Sequence, residues 1–340
     1  VKLKDVCIKG TSNIRQKDVN DSGRYPVYGA AGPVGFMNSF QYDEPYVGVV
    51  KDGAGIGRAT YLPSNSSIIG TMQALIPKKN VLPKYLYYAV SSMHLEKYYS
   101  GATIPHIYFK NYKHERFVLV SKKEQEQIIW RFSLLEKMIS NKQQQLLKLD
   151  ELIKARFVEM FGDPIINNKN IKKKKLGDIC LLKAGDFTPS KKISPVKTSI
   201  NKYPCFGGNG IRGYVDNYTH QGNYSLIGRQ GALCGNVKFA TGKFRNTEHA
   251  ILVSPNIEIN SRWLFELLNL EKLNRFRSGA AQPGLAVKTL NEIIVPVADL
   301  NSQNEYANFV QQVDKSKVVI QKSLDETQKL YDSLMQEYFG

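Results

Sequence analysis

The chain has 340 residues, 47 Lys or Arg against 30 Asp or Glu, and a net charge of +17. With 42% hydrophobic residues it can build folded cores, and its length calls for two domains or more. No apolar run approaches the ~18–20 residues of a membrane span, and no basic-then-apolar signal sequence opens the chain.

In chain order, LKDVCI predicts a short strand, and a polar loop runs on to Arg24. Tyr25–Phe40 alternates apolar residues with Gly, the pattern of strands and tight turns. Tyr46–Leu62 predicts a buried strand, a Gly-rich turn and another strand; TMQALIPK predicts a further strand. Pro83–Tyr99 has helical periodicity, Ser100–Pro105 is a turn, and ERFVLV predicts a strand leading into a long helix. Val1 follows no Met, so the natural start is expected to be trimmed.

Lys122–Gly162 predicts one helix with a heptad seam. Apolar residues stand at Ile128, Phe132, Leu135, Ile139, Leu146, Leu149, Ile153 and Met160, with Lys142 and Arg156 completing the alternation of four and three. About 40 residues at ~1.5 Å each make a rod of roughly 60 Å, which needs a partner. An offset of 178 residues gives a second seam: Tyr306, Val310, Val313, Lys317, Ile320, Leu324, Thr327, Tyr331, Leu334 and Tyr338. Phe161-Gly162 then falls on Phe339-Gly340. Two amphipathic helices on separate cores are the alternative; length and register favour a pair.

The same offset relates the rest of the chain. Tyr203-Pro204 answers Tyr25-Pro26, and Gly207, Gly210 and Gly213 answer Gly29, Gly32 and Gly35. Gly231-Ala232 and Gly235 answer Gly53-Ala54 and Gly57; Ser278-Gly279-Ala280 answers Ser100-Gly101-Ala102; Gln303 answers Gln125. Shared glycines imply a shared backbone path. The chain therefore reads as a duplication, each copy a mixed α/β unit followed by a long helix. The predicted divisions are 1–121, helix 122–162, a Lys-rich surface linker 163–175, 176–300, and helix 301–340.

Charge is unevenly spread: +7 over 1–120, +2 over 121–162, +4 over 163–175, +6 over 176–300 and −2 over 301–340. Two basic bodies with a near-neutral spacer suggest a polyanion gripped at two places, against the alternative of plain solubility charge.

Catalytic patterns are missing. DGAGIG (Asp52–Gly57) follows an apolar strand, but RATYLPSN after it is β-like where a dinucleotide fold needs a helix. No GxxxxGK[ST], HExxH, GxSxG or [DNS]PP[YFW] occurs. The five histidines have no repeat equivalents, and Cys7, Cys180, Cys205 and Cys234 form no CxxC, so buried thiols in a reducing cytoplasm are expected. The expectation is a non-catalytic chain that binds no metal or cofactor. Binding falls to Lys51 and Arg229, equivalent residues before the Gly turn, each placed for a phosphate or a guanine edge, with Gln230 placed for adenine. Further candidates are Arg15, Lys17, Arg24, Arg58, Lys78, Lys79, Lys110 and Lys113 in the first repeat. In the second they are Lys191, Lys192, Lys197, Lys202, Arg212, Lys238, Lys243, Arg245 and Arg277.

KAGDFTPSKK (Lys183–Lys192), the paired YPVYGAAGPVGFMNSF and YPCFGGNGIRGYVDNY segments, LIGRQGALCGNVKFA, and SGAAQPGLAVKTLNEIIVPVADLNSQNEY resemble the specificity subunits of type I restriction–modification systems. The first repeat departs in KGTSNIRQ, which lacks the TPS form, and in VLVSKKEQ, which lacks the Pro before the helix. The resemblance implies two target-recognition domains reading the halves of a bipartite, asymmetric double-stranded DNA target. It implies that the long helices pack as an antiparallel coiled coil that sets the spacer. Two methyltransferase subunits binding S-adenosylmethionine, and two restriction/translocase subunits using ATP and Mg, would be the partners, in the cytoplasm and not at a membrane. A self-contained DNA methyltransferase, a protein scaffold, and an inactive or phase-variable specificity cassette are the alternatives.

Overall fold

A computed structural model of the chain describes residues 1–101, 104–279 and 283–340. Ala102 and Ala280, of the paired SGA turns, lie outside the described residues. The chain divides into two units: residues 1–144 with 321–340, and residues 145–320.

In the first unit, α1 (Leu3–Val6) leads into β1 (Cys7–Gly10), and β2 (Tyr25–Gly29) pairs with β3 (Gly32–Met37) as a hairpin. Then come β4 (Tyr46–Val50), β5 (Ala59–Leu62), β6 (Ser67–Ile68), β7 (Met72–Pro77), α2 (Pro83–Ser92) and α3 (Phe109–Tyr112). One sheet runs β1-β7-β4-β5, the other β3-β2-β6. β4, YVGVV, is buried on both faces and so carries no apolar–polar alternation. LKDVCI is not one strand: Leu3–Val6 forms a helical turn that buries Leu3 and Val6, three apart on one face. ERFVLV is not a strand either; only Arg116 forms a bridge, to Lys2.

α4 (Lys122–Phe161) and the last helix are each 40 residues long. β8 (Lys173–Lys175), α5 (Leu176–Ile179) and β9 (Cys180–Ala184) open the second unit's sheets. β10 (Tyr203–Gly207), β11 (Gly210–Val215), β12 (His220–Gly228), β13 (Val237–Asn246) and β14 (Ala250–Pro255) follow. α6 (Ser261–Leu270), α7 (Val287–Asn291), β15 (Ile294–Pro296) and α8 (Leu300–Phe339) complete the chain. The sheet order is β11-β10-β13-β12-β14-β9. β13 is one strand where the first unit has β5 and β6, because Pro63 and the left-handed Asn65 (φ 52) break the latter run. The Lys-rich segment is not wholly a tether. Lys173–Lys175 pairs with β15, and Lys175 bonds Glu292 at 2.7 Å, because β15 offers a free edge.

The seam is packed separately in each unit. In the first, Ile128, Phe132 and Leu135 are buried, Ile139 is half-buried, and Phe132 lies 5.1 Å from Tyr331 between ring centroids. Leu324, Leu334 and Tyr338 are half-buried and Thr327 is buried. Lys142 donates to Thr327 Oγ1 (2.6 Å) and Ser323 O (3.2 Å). In the second unit Ile153, Tyr306, Val310 and Val313 are buried, while Leu146, Leu149, Met160, Lys317 and Ile320 are half-buried. Arg156 bonds Glu159 and Glu305 at 3.0 Å, and Lys317 bonds Asp150 at 2.6 Å. Contacts on α8 move back in sequence as those on α4 advance, so the pairing is an antiparallel coiled coil.

Each α/β body is fastened to its long helix by a buried glutamine. Gln125 accepts from Leu82 N–H at 2.9 Å and donates to Asn80 O and Val120 O, both at 3.0 Å. Gln303 accepts from Asn260 N–H and donates to Ala298 O, both at 2.8 Å.

Candidate nucleic-acid interface

The Gly turn after the central strand is built alike in both units. Gly53, Gly57, Gly231 and Gly235 take φ of +83 to +85. A Cβ on Gly57 would strike the backbone of Glu96, and one on Gly235 that of Asn274, the equivalent residue. Only glycine allows this approach. The amides of these four glycines are spent inside the protein. Gly53 N–H donates to Pro105 O and Gly231 N–H to Pro283 O, both at 2.9 Å; Gly57 and Gly235 N–H donate to Val50 O and Gly228 O, both at 2.8 Å.

In the first unit Lys51 Nζ stands 3.9 Å from Asp52 Oδ2, and Asp52 Oδ1 accepts from His106 Nδ1 at 2.7 Å. Tyr108 stacks on His106, and Lys110 lies over Tyr108 at 5.5 Å. Arg58 donates to Ala30 O in the β2–β3 turn. In the second unit Gln230 Oε1 lies 3.0 Å from His249 Nδ1, and His249 Nε2 lies 3.2 Å from Glu248 Oε1. A groove of about 490 Å³ opens between the β10–β11 turn and the Gly turn, lined by Gly208, Arg212, Gln230, Leu233 and His249 among others. Gly208, on that lining, is packed closely from behind: a Cβ on Gly228 would strike Gly208 O.

The family model described as the type I restriction modification DNA specificity domain matches twice, over residues 1–151 and 168–328. The chain belongs to this family.

The type I restriction enzyme EcoprrI specificity subunit of Escherichia coli is 46% identical over 143 residues, 42% of this chain and 36% of its own length. A putative type I restriction enzyme specificity subunit of Haemophilus influenzae is 31% identical over 122 residues. The matched chain thus spans 36% and 32% of those two relatives. The MjaVIII specificity subunit of Methanocaldococcus jannaschii is 22% identical and is matched over 84% of this chain and 76% of its own length. The solved S subunit of a type I system from M. genitalium superposes with a TM-score of 0.68 at 18% identity, over 100% of this chain and 95% of that one, a likeness of fold.

Within the first specificity domain the basic candidates do not all meet. Lys78 and Lys79 follow β7, which runs antiparallel to β4, so they lie at the sheet end away from Lys51. Lys78 Nζ caps Lys4 O and Asp5 O, and Lys113 O accepts from Lys4 N–H, which puts Lys113 near α1 as well. Arg15 is paired with Asp18, which holds that carboxyl below its ordinary range; Lys17 is exposed beside them. Arg24 lies over Tyr25 at 5.4 Å, and its equivalent Lys202 over Tyr203 at 5.3 Å.

In the second specificity domain the TPS segment gathers two arginines. Thr188 Oγ1 accepts from Arg245 Nε at 3.1 Å, and Ser190 Oγ accepts from Arg212 at 2.7 Å. Arg245 also reaches Asn217 Oδ1 at 3.0 Å. Lys191 and Lys192 are exposed next to Ser190, and Lys197 is exposed beyond them. Lys238 runs its stem under Gly210, and Lys243 lies over Tyr218 at 4.8 Å. Arg229, half-buried, donates its backbone N–H to His249 O at 2.9 Å and stands next to Gln230 of the groove. Arg277 is exposed beside Ser278, which bridges Gly284, itself bridged to Gln230.

Sequence reading missed Asp52, His106, Glu248 and His249. Asp52 carried one available signal, its equivalence to Gln230. The cysteines are all free and buried, with Cys7 and Cys180 pushed up to about 12 by desolvation. Among the described residues no group of three or more His, Cys, Asp or Glu could hold a metal, and no helix is long and apolar enough to cross a membrane.

Proposed function

We propose that the chain is the DNA specificity subunit of a type I restriction–modification complex. The observation that carries this is one backbone frame met twice with different side chains on its Gly turn, Lys51-Asp52 in one unit and Arg229-Gln230 in the other. Two such surfaces suit a bipartite, asymmetric duplex target, one half-site to each. Residues 1–121 and 176–300 are the recognition domains, 122–162 and 301–340 the spacer helices, and 163–175 their connection. The helix pair fixes the spacing, with half-sites about one DNA turn apart, ~34 Å.

The chain is non-catalytic and binds no cofactor itself. Two methyltransferase subunits carry S-adenosylmethionine, and two restriction/translocase subunits carry ATP and Mg. The assembly works in the cytoplasm. Methyl transfer by the purified chain alone would overturn this division of labour.

An adenine-methylation map of the source genome, with and without this gene, is the test. Loss of methylation at one split motif is expected, and exchanging 176–300 for another recognition domain should change one half only. An unchanged map refutes the role. Duplex binding by the assembled complex should weaken steeply with salt, because basic side chains displace counterions; a flat response would remove the basic-footprint argument.

A further inference from the structure

We propose that the side chain after the basic residue of each Gly turn, Asp52 in the first unit and Gln230 in the second, reads a base edge and is held for that task by a histidine. This assignment rests on the DNA-specificity reading above and names the chemistry of each half-site at one position.

The two pairs were not copied together. Asp52 and Gln230 are equivalent by the 178-residue offset, but the histidines are not. His106 answers Gly284, and His249 answers Thr71. One ring comes from the segment just past the Ser100–Pro105 turn, the other from the loop before β14. Each nonetheless puts Nδ1 against the side-chain oxygen of the same position, at 2.7 and 3.0 Å. Duplication cannot explain an arrangement reached from two places in the repeat; a shared requirement at the position can. Fixing a reading group's rotamer before binding lowers the ordering cost of the contact.

Both pairs reach solvent. The side chains of Asp52 and His106 are 28% and 35% exposed, and that of His249 is 42% exposed at the groove mouth. A carboxylate on a basic face repels phosphate, so phosphate contact does not account for Asp52. It offers acceptors only, which suit cytosine N4 or adenine N6 and oppose guanine O6 and thymine O4. Lys51, at 3.9 Å, is too far to consume its second oxygen as a hydrogen bond. Gln230 offers an acceptor and two donors, which match adenine N6 and N7 bidentately. Leu233, 51% exposed on the same groove, gives an apolar wall beside it.

The test uses the full chain co-expressed with its methyltransferase partners, with the methylated motif mapped for each variant. Asp52→Asn adds a donor, so guanine or thymine becomes tolerated at one position of one half-site. Discrimination there should fall about 10-fold or more, with the other half unchanged. His106→Gln should loosen the same position, and it serves if Asp52→Asn fails to accumulate. Gln230→Glu should move one position of the other half from adenine toward cytosine. Variants that keep the wild-type motif with undiminished discrimination overturn the proposal, as does an equal loss at all sites in a chain that is folded by circular dichroism. A wild-type complex with no split motif instead brings down the specificity reading, and the proposal with it.

Discussion

Replacing Gln125 with alanine breaks the joint between the first α/β body and its helix. The side chain is 0% exposed and serves one backbone N–H and two backbone carbonyls. Alanine leaves Leu82 N–H, Asn80 O and Val120 O without their partner. An unpaired group costs about 1–3 kcal/mol when fully buried; Leu82 and Val120 are half-buried and Asn80 is exposed, so water relieves part of that cost. A loss of about 3–5 kcal/mol follows for the first unit, large against the ~5–15 kcal/mol of a typical domain. Native-state hydrogen exchange is the assay, because it reads the opening of the first unit's amides by themselves. Protection of the β4 and β7 amides should fall by about two orders of magnitude or more, since ~1.4 kcal/mol is tenfold. Gln125→Glu, which keeps the acceptor but sets a carboxylate against two carbonyls, should be at least as harmful. A loss below about 1 kcal/mol for alanine would refute the joint.

Gly235→Ala should destabilise the second unit by about 2 kcal/mol or more, because it adds a backbone clash at Asn274 to positive-φ strain; Gly231→Ala meets open space and should cost only the strain, about 1–2 kcal/mol, by thermal melting. Burial pushes the carboxyls of Glu266 and Glu271 up from their ordinary 4.5, against Arg262 and Arg275. A group raised on folding holds a proton that the unfolded chain has released. Its contribution is complete below 4.5 and is lost as pH rises through the folded value. Glu266→Gln lacks this loss, so its melting temperature relative to wild type should climb as pH rises above 4.5; a pH-independent difference would sink the idea. Four residues inserted after Leu146 advance the helix by ~6 Å and throw later seam positions out of register. The methylated spacer or the assembly should change; unchanged spacing would count against the helix pair as its determinant.

The long helices were legible because a seam of period 3.5 repeats over 40 residues; Phe157 and Phe161, buried against Tyr306, lie one residue off the spacing that marks Arg156 and Met160. The duplication was legible because glycines with positive φ have few substitutes. Leu3–Val6 was not, since four residues hold too little periodicity to separate a helical turn from a strand. Lys173–Lys175 read as free chain because a lysine run carries no sign of the strand edge it will meet. Of the candidate site, the sequence pointed to Lys51, Arg229 and Gln230 through their place beside the Gly turn. The partners of those positions come from afar: His106 is 54 residues from Asp52 and His249 is 19 from Gln230. Strand direction, invisible in composition, sends Lys78 and Lys79 away from the turn.

Lys142 has a consequence for partner choice. A duplicated chain has two near-equivalent helices, so α4 of another copy is a competing partner for α4 beside its own α8. In the chain's own pairing the Lys142 ammonium is met by the Thr327 hydroxyl and the Ser323 carbonyl. By the 178-residue offset, a like-with-like pairing would put Leu149 where Thr327 stands and would leave a half-buried ammonium short of an acceptor. The α8 position equivalent to Lys142 is Ile320, which asks for no acceptor. One polar residue, present in a single copy of the repeat, thus biases the chain toward closing on itself over association with a second molecule.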